Sequence, residues 1–158
     1  MLIQSKKFIF FICVSFMLSL TSCTDEALTP EDEIKAFIAS GKEAAENRSH
    51  NDLGYLVSND YQDQKNLNKK QITALARAYF FRHKNIHLFT KIDTINFKDN
   101  NQAFVVVYVA MAGSAIVDLN TLSSLRARTY RFELLLEKNE EWLLRQAKWK
   151  SAKLNDIL

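Results

Sequence analysis

The order of apolar and polar positions changes period once along the chain. In the first stretch, Ile34, Phe37, Ile38, Gly41 and Ala45 recur at steps of three and four residues. Glu33, Lys35, Lys42, Glu43 and Glu46 occupy the opposite side, which is the pattern of an amphipathic helix. Thr29 can accept from the first free backbone N–H groups, Pro30 suits the first helical position, and Glu31 and Asp32 meet the positive end of the dipole. A helix is therefore predicted from Pro30 to about Asn47. Ser49 can cap a second, shorter helix that carries Leu53, Leu56 and Val57 and gives way to Ser58, Asn59, Asp60 and Tyr61. A third helix is predicted from about Asn68 to His83, with Ile72, Leu75, Ala76, Tyr79, Phe80 and His83 as its apolar stripe.

Beyond His83 the period falls to two. Ile86 to Phe97 reads as a strand, and Lys98 to Asn101 as a polar turn. Gln102 to Ala112 is apolar on both sides and so predicts a central strand covered on both faces. Ser114 to Ser124 reads as a loop. Arg126 to Lys138 alternates, with Tyr130, Phe132, Leu134 and Leu136 on one face and Thr129, Arg131, Glu133 and Glu137 on the other. A turn at Asn139 to Glu141 leads to a last strand from Trp142 to Lys150. Three helices followed by consecutive strands with short turns predict an α+β fold, a four-stranded antiparallel sheet with the helices gathered on one face. On the alternation, Phe132 is expected to be buried against the helices and Arg131 to face water.

The N-terminal pattern has a different meaning. Lys6 and Lys7 precede an uncharged apolar run of 13 residues, Phe8 to Leu20. Such a run is shorter than the roughly 20 residues of a spanning helix and fits the core of a signal peptide. Leu20, Thr21, Ser22 and Cys23 then follow, an apolar residue and two small ones before a cysteine. This resembles the lipobox of bacterial lipoproteins and predicts a signal peptide at residues 1–22, lipidation at Cys23, a tether at 23–29 and one domain at 30–158. The expected place is the cell envelope. Because Thr24 follows the cysteine, the resemblance implies the outer membrane, facing the periplasm.

That processing alters the rest of the composition. Removing residues 1–22 from the 158 leaves 136, enough for one domain that buries about two-thirds of its unfolded surface. Lys6 and Lys7 leave with the signal, so 19 of the 21 basic residues face 18 acidic ones, and no nucleic-acid partner is indicated. The two cysteines are Cys13, within the signal, and Cys23, so thiol catalysis and thiolate metal sites are excluded from the domain. With three glycines there is no Gly-rich phosphate cradle, and no cofactor is indicated.

The order of these elements resembles the nuclear transport factor 2-like superfamily, shared with SnoaL-like polyketide cyclases and ketosteroid isomerase. The resemblance spans roughly Glu31 to Trp149. It is carried by the long first helix, the segment Leu56-Val57-Ser58-Asn59-Asp60-Tyr61, the Lys70-Gln71-Ile72 helix, the turn at Asp99-Asn100-Asn101-Gln102-Ala103, and the closing Glu140-Glu141-Trp142-Leu143-Leu144 with Trp149. It implies a cone-shaped, cystatin-like sheet wrapped around helices, with a pocket between them. The superfamily holds enzymes, small-molecule binders and interaction modules, so the fold does not name an activity.

In its enzymes an Asp or His base in the cone is paired with a Tyr or Asp that polarises a carbonyl. The candidates here are His83, Asp60, Tyr108 and Tyr130, with Tyr61 and Tyr79 beside them. His83 is the ionisable residue on the third helix's stripe; projecting towards the sheet, it would meet Tyr108 or Tyr130. The alternative is that it bonds a carbonyl at its own helix end. No Asp lies within the central strand, where an isomerase-type base belongs. His83 and His87 have metal-ligand spacing, but the predicted helix boundary falls between them and no third ligand is evident.

Tyr79, His83, Phe104, Tyr108, Tyr130, Phe132 and Trp142 are the expected pocket residues, with Trp149 a further candidate, although aromatic residues at strand spacing also serve simply as core. These residues favour a membrane-anchored, non-catalytic domain that binds a small apolar ligand or a protein partner. An isomerase, dehydratase or cyclase and an accessory subunit of a secretion or conjugation complex are the alternatives. A homodimer through the sheet is compatible with all three.

Replacing Cys23 with Ser should abolish labelling by a fatty-acid analogue and release the protein from the membrane fraction. Each buried acyl methylene adds about 0.8 kcal/mol of membrane affinity, so the loss of the acyl chains is decisive. A Cys23→Ser protein that still labels and sediments with membrane rules lipidation out, whereas inner-membrane density of the native protein overturns the sorting alone.

Overall fold

The computed structural model describes residues 28–116 and 127–157. The signal segment, Cys23 and most of the 114–124 loop lie outside these residues. Three helices come first: α1 (Pro30–Glu46), α2 (His50–Tyr55) and α3 (Lys69–Arg82). Each starts at a side chain that satisfies an orphan N–H. Thr29 accepts from Asp32 at 3.2 Å and Ser49 from Asp52 at 3.2 Å, while Asn68 and Gln71 cap one another's backbone at 3.0 Å. α1 ends with Arg48 in the left-handed region, φ 56°, which lets Ser49 N–H reach Ala44 O at 2.8 Å and Arg48 N–H reach Ala45 O at 3.1 Å. This reversal uses two of the last helical carbonyls and starts α2 one residue later.

Four strands follow in a plain antiparallel meander, β1 (His87–Asp99), β2 (Gln102–Ala112), β3 (Arg128–Lys138) and β4 (Trp142–Ser151). Their alternation assigns each side chain to a face. Val105 stands opposite Ile95 and Leu134, and Val107 opposite Ile92 and Phe132, all on the inner face under the helices. Asp93 is the extra residue of a bulge in β1; it restores the inward phase, so that both Ile92 and Ile95 point in. The expected double cover of β2 is present: Val106 and Ala110 on the outer face are buried too. Part of that cover is a feature the periodicity did not foretell, a 3₁₀ turn (Leu154–Asp156) that lays Ile157 against Ala110, with Phe89 and Tyr108 beside it.

The inner face is not packed evenly. At one end Ile34, Ala103, Val105 and Leu136 are fully enclosed. The other end is hollow. Phe132 faces the helices as expected but is only half-buried, because it lines that hollow. Arg131 is also half-buried, ion-paired to Glu133 along β3, and does not lie open to water. The third helix departs further from its predicted stripe. Of that stripe, Leu75 is 48% exposed and His83 lies on the surface. α3 packs mainly on α2 and reaches the sheet through Tyr79, whose hydroxyl meets Met111 Sδ at 3.3 Å.

The packed end should therefore govern stability. Leu136→Ala removes a fully enclosed side chain and should cost about 2–5 kcal/mol in urea unfolding. Lys148→Ala, exposed on the outer face, should stay within about 0.5 kcal/mol of the native protein. Equal losses at the two positions would contradict the assignment of faces.

Candidate functional site

The hollow end is an apolar cavity of about 450 Å³, within the range of small-molecule sites. α1 contributes Phe37, Ile38, Gly41, Lys42 and Ala45 to its roof. The α2 end and the segment after it contribute Leu53, Leu56, Val57 and Tyr61, and α3 contributes Ile72 and Thr73. The floor is the inner face of the sheet, with Leu88 and Thr90 of β1, Val107, Val109 and Met111 of β2, Tyr130, Phe132 and Leu134 of β3, and Leu144, Ala147 and Trp149 of β4. Phe132 and Trp149 stack with centroids 6.2 Å apart, and so form one flat aromatic wall.

α1 is fastened across this space at both ends. Near its start, Glu33 Oε2 accepts from Lys138 Nζ at 2.5 Å and from Trp142 Nε1 at 2.8 Å, where β3 turns into β4. Lys138, and then the indole N–H, hold the Glu33 carboxyl below the usual glutamate range. At its end, Glu46 Oε1 accepts from Leu88 N–H at 2.8 Å, on the free edge of β1. The opposite edge of the sheet is also occupied. Leu144 N–H donates to Leu56 O at 2.8 Å and Ser58 N–H to Leu144 O at 3.0 Å, so the segment after α2 runs as a short parallel addition to β4. This placement turns Tyr61 into the cavity and buries it.

Behind Tyr61 lies Asp63, 2% exposed. Its Oδ1 accepts from Lys65 N–H at 2.7 Å and Leu67 N–H at 2.8 Å, which organises the loop before α3. Its Oδ2 has no partner among the described residues. Burial first, and then the Asp63 carboxylate, push the Tyr61 hydroxyl above the usual phenol range.

The sequence-predicted site residues are scattered by this geometry. Tyr130 and Phe132 reach the cavity, as does Trp149. Tyr108 points to the outer face beside Ala110 and Ile157, so Tyr108 and Tyr130 stand on opposite sides of the sheet. His83 is the exposed C-cap of α3; its Nδ1 lies 3.0 Å from Tyr79 O, and its ring stacks on Tyr79 at 4.0 Å. It therefore meets neither Tyr108 nor Tyr130, and the catalytic pairing expected from the stripe is not formed. Asp60 is an exposed turn residue whose N–H donates to Ser58 Oγ at 3.2 Å. Phe104 is on the outer face, 39% exposed, and Trp142 is enclosed by the packed end, bound to Glu33. Tyr79 and His83 stand outside the cavity wall. No group of three potential metal-ligating His, Cys, Asp or Glu side chains occurs among the described residues. Lys42 lines the wall beside the apolar stripe, a correction to its expected place on the opposite side of α1, and Thr90 is a further wall residue; their helical and strand steps from Ile38 and Leu88 were the available signal.

No family model matches the chain, and no curated protein matches it significantly. Solved structures do. A nuclear transport factor 2-like protein of unknown function from Shewanella oneidensis superposes with a TM-score of 0.58 at 19% identity, over 77% of this chain and 98% of its own.

The chain has the nuclear transport factor 2-like fold.

A protein provisionally named a scytalone dehydratase, from Novosphingobium aromaticivorans, has a TM-score of 0.64 at 10% identity, over 78% of this chain and 84% of its own. A provisionally named dehydratase of the nuclear transport factor 2-like family, from Streptomyces avermitilis, has 0.63 at 11% identity, over 79% and 99%. At these identities the likeness is one of architecture: α1 to α3 laid into a curved, four-stranded antiparallel sheet.

The shifted Tyr61 hydroxyl gives the site a pH signature. Its stabilising effect is complete below the unfolded phenol pKa of about 10 and is lost as pH rises towards the folded value. In an alkaline absorbance titration, Tyr61→Phe should remove the last tyrosine to ionise. Loss of an early step instead would show that Tyr61 is solvated.

Proposed function

We propose that the chain is a membrane-anchored, non-catalytic lipoprotein of the bacterial envelope whose domain holds a small apolar ligand between α1 and the sheet. The observation that carries this reading is the chemistry of the cavity wall. Its lining is almost wholly aliphatic and aromatic, with hydroxyls at Tyr61, Thr73, Thr90 and Tyr130 and one ammonium at Lys42. Transfer of an apolar body into such a space gains about 25 cal/mol per Å² of surface removed from water, and a few hydroxyls suffice to orient it. The lipobox-like Leu20-Thr21-Ser22-Cys23 supports the anchor, with residues 23–29 as the tether to the domain.

The provisional dehydratase names of two neighbours favour a second reading, acid–base catalysis in the same cavity. Tyr61 and Tyr130 would be its donors. Such a reaction also needs a base within hydrogen-bond reach of the substrate, and the described wall carries neither carboxylate nor imidazole. Ligand holding asks nothing more of the wall than it has.

Fluorescence titration with N-phenylnaphthylamine, a neutral apolar dye, tests the ligand reading. A Cβ at Gly41 would sit 3.8 Å from Leu56 Cδ1, an ordinary contact, so Gly41→Leu keeps the helix and extends into the cavity. Leucine favours helix over glycine by up to about 1 kcal/mol, and folding should be retained. The native protein should bind the dye and Gly41→Leu should lose at least about tenfold in affinity, equivalent to about 1.4 kcal/mol. Equal binding by both proteins would place the dye elsewhere and end this reading.

A further inference from the structure

Among the described residues, Lys42 is the one charged residue that lines the cavity. The two carboxylates that α1 turns towards the sheet are engaged: Glu33 by Lys138 and Trp142, and Glu46 by the N–H of Leu88. Lys35, exposed two turns before Lys42, is paired with Glu31 at 3.0 Å and with Asp32 at 3.3 Å. Lys42 forms no ion pair and donates no hydrogen bond among the described residues, although Glu46 lies one turn away at ion-pair spacing. The N–H of Leu88 holds the Glu46 carboxylate on the β1 edge. The same edge supplies Leu88 and Thr90 to the cavity, and Lys42 lines the same space from α1.

A lysine stem can lie along apolar surface while its ammonium seeks water or an anion. Among the described residues the rest of the cavity wall is neutral, so Lys42 brings the positive charge to it. We infer that the cavity selects a single-chain amphiphile with an anionic head, the head held by Lys42 and Thr90 and the chain running between α1 and the aromatic wall of Phe132 and Trp149. This inference rests on the reading of the cavity as a ligand site and adds the class of ligand. Carboxylate and phosphate heads share the required chemistry, a compact anion that accepts from an ammonium and a hydroxyl. A neutral alcohol of the same chain length has the same apolar body and lacks the charge.

The test uses the full chain and displacement of bound N-phenylnaphthylamine by dodecanoate, dodecyl phosphate and dodecanol. The native protein should prefer one or both anions over dodecanol by about tenfold, the scale of one charge-assisted hydrogen bond at a partly exposed site. The stronger anion identifies the head. In Lys42→Met, which keeps an apolar stem, the preference should fall to within about twofold. Lys42→Arg should retain it, and Lys42→Glu should reverse it. Dodecanol displacing the dye as well as both anions, or Lys42→Met keeping the native preference, overturns the anionic ligand while leaving an apolar ligand site in place. Failure of the dye to bind the native protein overturns both.

Discussion

Two carboxylates thirteen residues apart set the geometry of the domain, because they fix where α1 lies. Glu33 ties its first turns to Lys138 and Trp142, and Glu46 ties its last turn to Leu88 at the far side of the sheet. A helix is stiff over this length, so fastening both ends determines the distance between its middle and the sheet. At the Glu33 end Ile34 sinks fully into Ala103, Val105 and Leu136. At the Glu46 end the side chains beneath the helix do not meet in the same way, and the cavity lies there. Each tie is a charge-assisted hydrogen bond, stronger than a neutral one and directional. The apolar residues supply the cohesion, and the carboxylates decide its distribution.

The same economy protects the sheet margins. Exposed strand edges present unpaired donors and acceptors that invite association. Glu46 meets the Leu88 N–H on one edge, and the Leu56–Ser58 segment pairs with Leu144 on the other. Residues that shape the cavity are thus also the residues that close the edges. The outer face is covered around Ala110 by Ile157, with Leu154 beside it, while Phe104 leaves an aromatic surface open.

Much of this architecture was legible in local pattern. Helix starts at Thr29, Ser49 and Asn68, the turn at Asn100 and Asn101, and the bounds of β2 follow from capping chemistry and periodicity, which act between near neighbours. What periodicity could not convey was which apolar surface finds a partner. Tyr108 and Tyr130 both belong to apolar runs, yet one faces the C-terminal turn and the other the cavity, because β2 is covered on both sides. His83 continued the stripe of α3 on paper, but α3 packs on α2 and leaves that last turn in solvent. The ties from Glu33 and Glu46 span 105 and 42 residues of sequence, beyond any local rule, and with them the site was out of reach.

The Glu33 tie also has a mechanical meaning. Tension applied through the chain before Thr29 enters the domain at the start of α1, and Glu33 stands within the first turns. The load therefore passes sideways into the β3–β4 hairpin through Lys138 and Trp142 before it reaches the roof residues Phe37 to Ala45. Glu33 works as a strain relief, in the way a cable is clamped just inside its housing. A domain tugged at its N-terminus would feel the pull in its most densely packed part, and the cavity downstream would keep its shape.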